Sequence, residues 1–151
     1  MITRRDLVVA VIAACATIAV VVLAESTGKS VMHSSVFDWN LLKVEPKPHG
    51  ARRDVFDSRT ATLDRFECHV TTLNPGAAPH EAHKHPEEEL IIVKEGMLDA
   101  MQNGTTNRAG PGSLIFEASN EQHGLRNTGS VTTTYYVIKF VPPGLLKSKV
   151  D

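Results

Sequence analysis

Aromatic residues and net charge are both scarce in this 151-residue chain, and each scarcity excludes a class of partner. Aromatic residues make up 5% of the chain, which leaves little material for stacking nucleic-acid bases. The formal net charge is -1, so no basic surface is available for DNA, RNA or an anionic membrane. We therefore expect no nucleic-acid partner.

Cysteine is also scarce, because it occurs only as Cys15 and Cys68. Cys15 falls in an apolar N-terminal run, and removal of that run would leave Cys68 alone, without an intramolecular disulfide. We interpret Cys68 as a small buried hydrophobe rather than as a reactive thiol.

The N-terminus has the pattern of an export signal. Arg4 and Arg5 precede an uninterrupted apolar run, and polar residues follow from Glu25 onward. The paired arginines resemble a twin-arginine signal, which predicts that residues 1–24 form an export signal helix and that the protein is periplasmic or secreted. If the run stayed uncleaved, it could anchor the protein in a membrane. A lipoprotein box ending at Cys15 is a weaker alternative, because the residues after it stay apolar.

Beyond this leader, no stretch repeats its apolar residues with a helical period over a dozen positions. Residues 25–59 are broken by prolines and predict an N-terminal arm with one or two short strands. Residues 60–143 contain short alternating runs separated by turn signals such as Asn103-Gly104. A chain of this kind hides its strand edges by closing a barrel or stacking two sheets. We predict an all-β domain over residues 60–143, followed by a C-terminal tail, 144–151.

One of these strands is predicted around Cys68, and its two faces differ in polarity. Phe66, Cys68 and Val70 alternate with Glu67 and His69, which is typical of a half-buried strand. His69 is then a structural or surface residue on the polar face.

The densest polar stretch runs from His80 to Glu89 and contains three histidines and four glutamates. Side chains two apart in an extended strand face the same side, so His83 and His85 present both imidazoles to one volume. Pro86 indicates a turn, after which Glu89 begins an inward-facing row. A buried carboxylate is costly without a cation. Taken alone, however, such a cluster is also compatible with a solvated surface.

A third imidazole could come from His123, which shares a strand face with Leu125 and Asn127. Three neutral imidazoles and one carboxylate bind a divalent ion well, and they leave one or two coordination positions open.

The spacing of these residues resembles the two sequence motifs of the cupin superfamily. In the first motif, a glycine precedes a His-x-His pair, three residues separate the pair from a glutamate, and six residues separate the glutamate from a second glycine. In this chain the motif positions are Gly76, His83, His85, Glu89 and Gly96. The second motif contains a histidine and an asparagine separated by three residues, and His123 and Asn127 resemble this part of it. Ala118 and Asn120 stand where the family usually has proline and glycine. The resemblance covers roughly residues 60–141.

The resemblance implies a single cupin barrel, which is a double-stranded β-helix or jelly roll, with an N-terminal arm. It also implies a metal site formed by His83, His85, Glu89 and His123, in which Glu89 could act as the catalytic base. The family's ligand set is known with manganese, iron, nickel, copper, cobalt and zinc. Metal loading in the cytoplasm before twin-arginine export would favour manganese or iron. Cupin barrels commonly pair through their arms, which predicts a homodimer.

Two functions are compatible with this resemblance. The first is a metal-dependent enzyme, an oxygenase, oxidase, decarboxylase or lyase/isomerase, that acts on a small polar organic molecule. The alternative is a non-catalytic module that binds a small molecule or a metal. His80 fits no motif position and could be an exposed loop residue or a group at the cavity mouth.

Overall fold

The computed structural model describes residues 30–145, and the prediction of an all-β fold is confirmed over this range. The predicted export signal and most of the predicted tail lie outside the described residues. No helix between residues 30 and 145 is long and apolar enough to cross a membrane. One turn of 3-10 helix precedes the strands, which are β1 (Glu45–Lys47), β2 (Gly50–Ser58), β3 (Arg65–Leu73), β4 (Glu88–Glu95), β5 (Leu98–Gln102), β6 (Thr105–Ala109), β7 (Leu114–Glu117), β8 (His123–Arg126) and β9 (Thr133–Val141).

The strands form two antiparallel sheets, as a jelly roll requires. The larger sheet has the order β1-β2-β3-β9-β4-β7, and the smaller one has the order β6-β5-β8. The Asn103-Gly104 dipeptide closes a tight hairpin between β5 and β6, with both residues at positive φ. The last strand, β9, lies between β3 and β4, so the larger sheet is held together by contacts that are distant in sequence.

The segment predicted as an N-terminal arm contributes directly to the larger sheet within its described part, residues 30–59. Strand β2 pairs with β3 from Gly50 to Ser58, with one irregularity between Asp54 and Phe56. Phe37, Phe56, Phe66 and Phe140 form a chain of ring contacts with centroids 4.8 to 5.5 Å apart. This aromatic chain lies on the face of β3 that also carries Cys68, which is buried as predicted.

The expectation that β3 is half-buried was wrong. Its polar face is buried as well, with Glu67, His69 and Thr71 each less than 8% exposed. The reason is that this face lines the barrel interior, part of which is a polar cavity, while the aromatic chain covers the other face.

The barrel interior changes from apolar to polar along four adjacent strands. Its apolar part consists of Leu73, Ile91, Val93, Leu98, Ala100, Ala109, Ile115, Tyr135 and Val137. Beyond this core, the register of β3, β9, β4 and β7 aligns Glu67, Lys139, Glu89 and Glu117 in one row across the sheet. This row of charged residues forms one boundary of the candidate site.

Candidate metal centre

The structure brings together the three histidines that the sequence singles out. Their ring centroids lie 4.8 to 5.2 Å apart. His123 begins β8, but His83 and His85 lie in the connection between β3 and β4 rather than in the strand that the sequence predicts. A single antiparallel bridge joins His83 to His123 through two backbone hydrogen bonds of 3.0 and 2.9 Å. This bridge, together with the turn at Pro86, replaces the expected strand in positioning the imidazoles.

Two of the imidazoles are oriented by carbonyl groups. The Nδ1 atom of His85 is 3.0 Å from the carbonyl of Glu87, and that of His123 is 2.9 Å from the carbonyl of Glu121. Because a carbonyl oxygen can only accept, each Nδ1 carries the proton, and each Nε2 keeps a free lone pair. A metal-binding histidine is usually held in this way.

The spacing of the imidazoles fits a single metal ion. One nitrogen from each ring lies within 4.8 Å of the others. Ligands about 2.1 Å from one ion are at most about 4.2 Å apart, so small side-chain rotations would complete the site. Burial also lowers the pKa of His83 and of His123, and neighbouring imidazoles lower both further. The neutral ring is the form that binds metal.

Three buried side-chain atoms in the described range have no hydrogen-bond partner: His85 Nε2, His123 Nε2 and Glu117 Oε1. The two ring nitrogens do lie close to carboxylate oxygens, at 3.0 Å from Glu89 and 3.3 Å from Glu117, but without the geometry of a hydrogen bond. Buried polar atoms are rarely left without partners, and nitrogen lone pairs facing carboxylate oxygens suit a cation between them. The residues present therefore fit a divalent metal.

Glu89 lies beside this cluster, as the sequence analysis expects. It is the second residue of β4, and Glu89, Ile91 and Val93 form a buried row. Its Oε1 atom is 2.6 Å from Lys139 Nζ and 3.0 Å from His85 Nε2. Burial alone would raise the pKa of Glu89, but the hydrogen bond and charge of Lys139 lower it overall.

Glu117, at the end of β7, belongs to the same cluster and was missed in the sequence analysis. Its Oε2 atom is 3.3 Å from His123 Nε2, and the residue is 3% exposed. Burial raises the pKa of Glu117 to about 8, and the nearby Glu89 adds to the effect. The pattern of β7 is misleading, because its apolar Leu114 and Phe116 are the exposed residues. The signal available in the sequence is that Glu117 alternates with Ile115.

The cluster opens into a cavity of about 530 Å³. On the side of β1, β2 and β3, the cavity is lined by Lys47, Arg52, His69 and Thr71, and by His49 from the turn between β1 and β2. The interpretation of His69 as a structural or surface residue thus missed its position in the cavity wall. His80 lies at the cavity mouth; it is exposed, and its ring centroid is 4.3 Å from that of His83.

His69 is held in the cavity wall by a buried carboxylate. Its Nδ1 atom is 3.0 Å from Glu67 Oε1, and Arg52 Nη2 lies 2.9 Å from the same oxygen. Arg65 contacts the second oxygen at 3.4 Å. The hydrogen bond from His69 is the largest contribution that lowers the pKa of Glu67, to about 2. A carboxylate so placed accepts the Nδ1 proton and fixes the orientation of the ring.

Comparisons with known proteins bear on the family. A family model described as "Cupin domain" matches residues 69–139. An L-ectoine synthase from Bordetella parapertussis is 30% identical over 97 residues, which cover 61% of this chain and 72% of the relative. The chain belongs to the cupin superfamily. Both motifs and the jelly-roll strands are thereby explained by one fold.

Solved structures agree with this assignment of the fold. An RmlC-like cupin from Shewanella frigidimarina has a TM-score of 0.60 at 15% identity, covering 78% of this chain and 96% of that one. The polyketide cyclase RemF from Streptomyces resistomycificus has a TM-score of 0.59 at 25% identity, covering 74% and 82%.

Asn120, where other cupins usually have glycine, takes up the backbone conformation that glycine would supply. Its φ is +60°, in the left-handed region that asparagine tolerates better than most residues. The backbone N–H of Asn120 donates to the carbonyl of His85 at 2.7 Å, which links the turn before β8 to the segment that carries His83 and His85. Asn127 is fully buried, and its amide donates to the carbonyls of Leu73 and Val131. Asn120 therefore preserves the turn.

Proposed function

We propose that this cupin is a metal-dependent enzyme that acts on a small organic anion. The observation that carries the proposal is the combination of the metal-binding cluster with cations in one cavity. Lys47, Arg52 and Lys139 line the cavity. The partners Glu45 and Asp54, which neutralise part of the charge of Lys47 and Arg52, lie outside its lining. Glu89 and Glu117 also line the cavity, and a bound divalent ion would offset their charges. The three cationic side chains would then make the cavity attractive to anions.

The ion would be held by His83, His85, Glu89 and His123, with manganese or iron favoured. When bound, it would supply a Lewis acid that polarises an oxygen atom of the substrate. Lys139 keeps Glu89 ionised through their 2.6 Å contact. Glu89 is also our candidate for the catalytic base, because its ionised carboxylate could take a proton from the substrate.

His69 is a second group that could move a proton in this cavity. Its Nδ1–H donates a hydrogen bond to Glu67 at 3.0 Å, so the proton that His69 would accept goes to its Nε2 atom. Among the similar proteins are a synthase and a polyketide cyclase. For this reason we place a lyase, isomerase or cyclisation reaction ahead of an oxygenase, oxidase or decarboxylase reaction.

Metal binding is tested first, on the full-length chain. The double variant His83→Ala/His85→Ala should lose the ion, while wild type should retain about one per chain. Lys84→Ala is the matched control, because Lys84 lies between the two histidines but is exposed. Elemental analysis measures the metal content of each protein. Free metal at about one hundred times its Kd should raise the free energy of unfolding of wild type by about 3 kcal/mol. Equal metal content in the double variant and wild type would rule out the site.

Turnover is tested next, by screening the metal-loaded protein against small organic acids and following substrate loss and oxygen uptake. A Glu89→Ala variant that folds but loses turnover would support the enzymatic role. Binding of an acid without turnover in wild type would instead favour the non-catalytic binding module.

We also propose export and dimerisation. The export signal predicted for residues 1–24 would make the protein periplasmic or secreted. The N-terminal segment exposes Val36, Phe37, Leu41 and Val44, which could form a homodimer contact. Light scattering coupled to gel filtration measures the mass in solution, and a strictly monomeric mass would exclude the dimer.

A further inference from the structure

Glu117 occupies a position that the two cupin motifs do not assign. It is directly opposite Glu89 in the antiparallel pairing of β4 with β7, and Lys139 is opposite Glu89 on the other side, in β9. Three ionisable residues therefore lie side by side across adjacent strands, in the order Lys139, Glu89 and Glu117. Of Glu89 and Glu117, only Glu89 is next to the lysine.

The carboxyl group of Glu117 forms no salt bridge with a lysine or arginine within residues 30–145. Its side chain is 1% exposed, and its Oε1 atom has no hydrogen-bond partner. Its Oε2 atom faces His123 Nε2 at 3.3 Å, and that nitrogen also lacks a hydrogen-bond partner. Two carboxylates directly opposite each other in a sheet are destabilising when both are ionised, and a buried carboxyl without a partner is costly. Both costs would be relieved by a cation between Glu117, Glu89 and His123.

The distances allow such a cation. A carboxylate oxygen of Glu89, one of Glu117 and a ring nitrogen of His123 lie within 4.8 Å of one another. His123 also belongs to the trio formed with His83 and His85, so one residue is common to both groups. We propose that Glu117 is a fifth protein ligand, giving one ion three imidazoles and two carboxylates.

This inference rests on the proposed function, and it narrows the choice of metal. A second carboxylate adds a hard oxygen ligand and a second negative charge. The charges of Glu89 and Glu117 together would neutralise a divalent ion. Carboxylate oxygens suit manganese, whereas imidazole nitrogens suit zinc and copper. The second carboxylate therefore shifts the preference of the site toward manganese. Five protein ligands would leave one position of a six-coordinate ion for the substrate.

The test compares Glu117→Gln with Glu88→Gln in the full-length chain after chelator treatment. Glutamine keeps the shape of the side chain but removes its charge. Glu88 provides the matched control, because it is an exposed carboxylate in β4, next to Glu89. Titration calorimetry with Mn²⁺ and with Zn²⁺ should show at least a tenfold loss of manganese affinity in Glu117→Gln, a smaller loss for zinc, and no more than a twofold change in Glu88→Gln.

Manganese affinity in Glu117→Gln equal to that of wild type would overturn the inference while leaving the four-ligand site intact. Failure of wild type to bind any divalent ion would instead overturn the proposed function and this inference with it. A crystal structure of the Mn²⁺-loaded wild type provides a measurement that does not depend on whether the variant folds. An oxygen of Glu117 should lie about 2.2 Å from the ion, and a separation greater than about 3 Å would contradict the assignment.

Discussion

Replacement of Glu67 by glutamine should destabilise the barrel in a way that depends on pH. Glu67 is 6% exposed and accepts hydrogen bonds from His69 at 3.0 Å and from Arg52 at 2.9 Å. The charge of Arg65, 3.4 Å from the carboxylate, adds to the effect. These contacts favour the ionised form more strongly than burial opposes it, and the pKa of Glu67 falls to about 2 from an ordinary value of 4.5.

The difference between these pKa values sets the size of the effect. About 2.5 pKa units correspond to about 3 kcal/mol of additional stability when the carboxyl group is ionised in both folded and unfolded chains. Because the folded-state pKa is the lower one, this contribution is complete above about pH 5. It falls to about 1 kcal/mol near pH 3 and is nearly absent at pH 2.

The prediction is checked by urea unfolding followed by circular dichroism, near pH 7, 5, 4 and 3. Glu67→Gln should lower the free energy of unfolding by up to about 3 kcal/mol at neutral pH, and the gap from wild type should narrow in acid. Asp54→Asn is the control, since Asp54 pairs with the same Arg52 from an exposed position and should change stability by less than about 1 kcal/mol. A gap that stayed constant between pH 7 and pH 3 would refute the electrostatic explanation and point to packing.

Three further predictions concern the turns, the thiol and the leader. Gly96→Ala should lower the free energy of unfolding in urea by about 3 kcal/mol or more, because φ is +76° and a Cβ would lie 2.4 Å from a side-chain oxygen at the start of β9. Gly104→Ala is the control and should lower it by about 1 kcal/mol, because φ is +84° but the surrounding space is open. Equal losses in the two variants would contradict the prediction. Burial raises the pKa of the Cys68 thiol to about 11, so a maleimide should not label it at pH 8 until the protein is denatured. Peptide mapping measures the labelling, and rapid labelling of the native protein would show that the site opens. Arg4→Lys with Arg5→Lys should retain the precursor in the cytoplasm, as cell fractionation would detect; unchanged export would indicate the general secretory route.

Much of the site could be predicted from local spacing. The His-x-His pair and Glu89 lie within a few residues of each other, so a single turn at Pro86 is enough to bring them together. The distant His123 was found through its spacing to Asn127, and the backbone bridge from His83 to His123 realises that proximity.

Other members of the site could not be predicted in this way. Lys139 and Glu117 meet Glu89 only because β9 and β7 are its two neighbours in the sheet, with a register that aligns these three residues. A shift of one residue would turn each side chain to the opposite face. Neither the order of strands nor their register is encoded in the alternation of any one strand.

The all-β class, the turns and the burial of Cys68 follow from patterns within short segments, because alternation and turn chemistry are local properties of the backbone. The interior position of Glu67 and His69 depends on the tertiary structure. Alternation separates the two faces of β3, but it does not say which face meets water. That outcome is decided where the aromatic chain covers one face and barrel closure encloses the other, so polar groups that look like surface residues become the wall of a cavity.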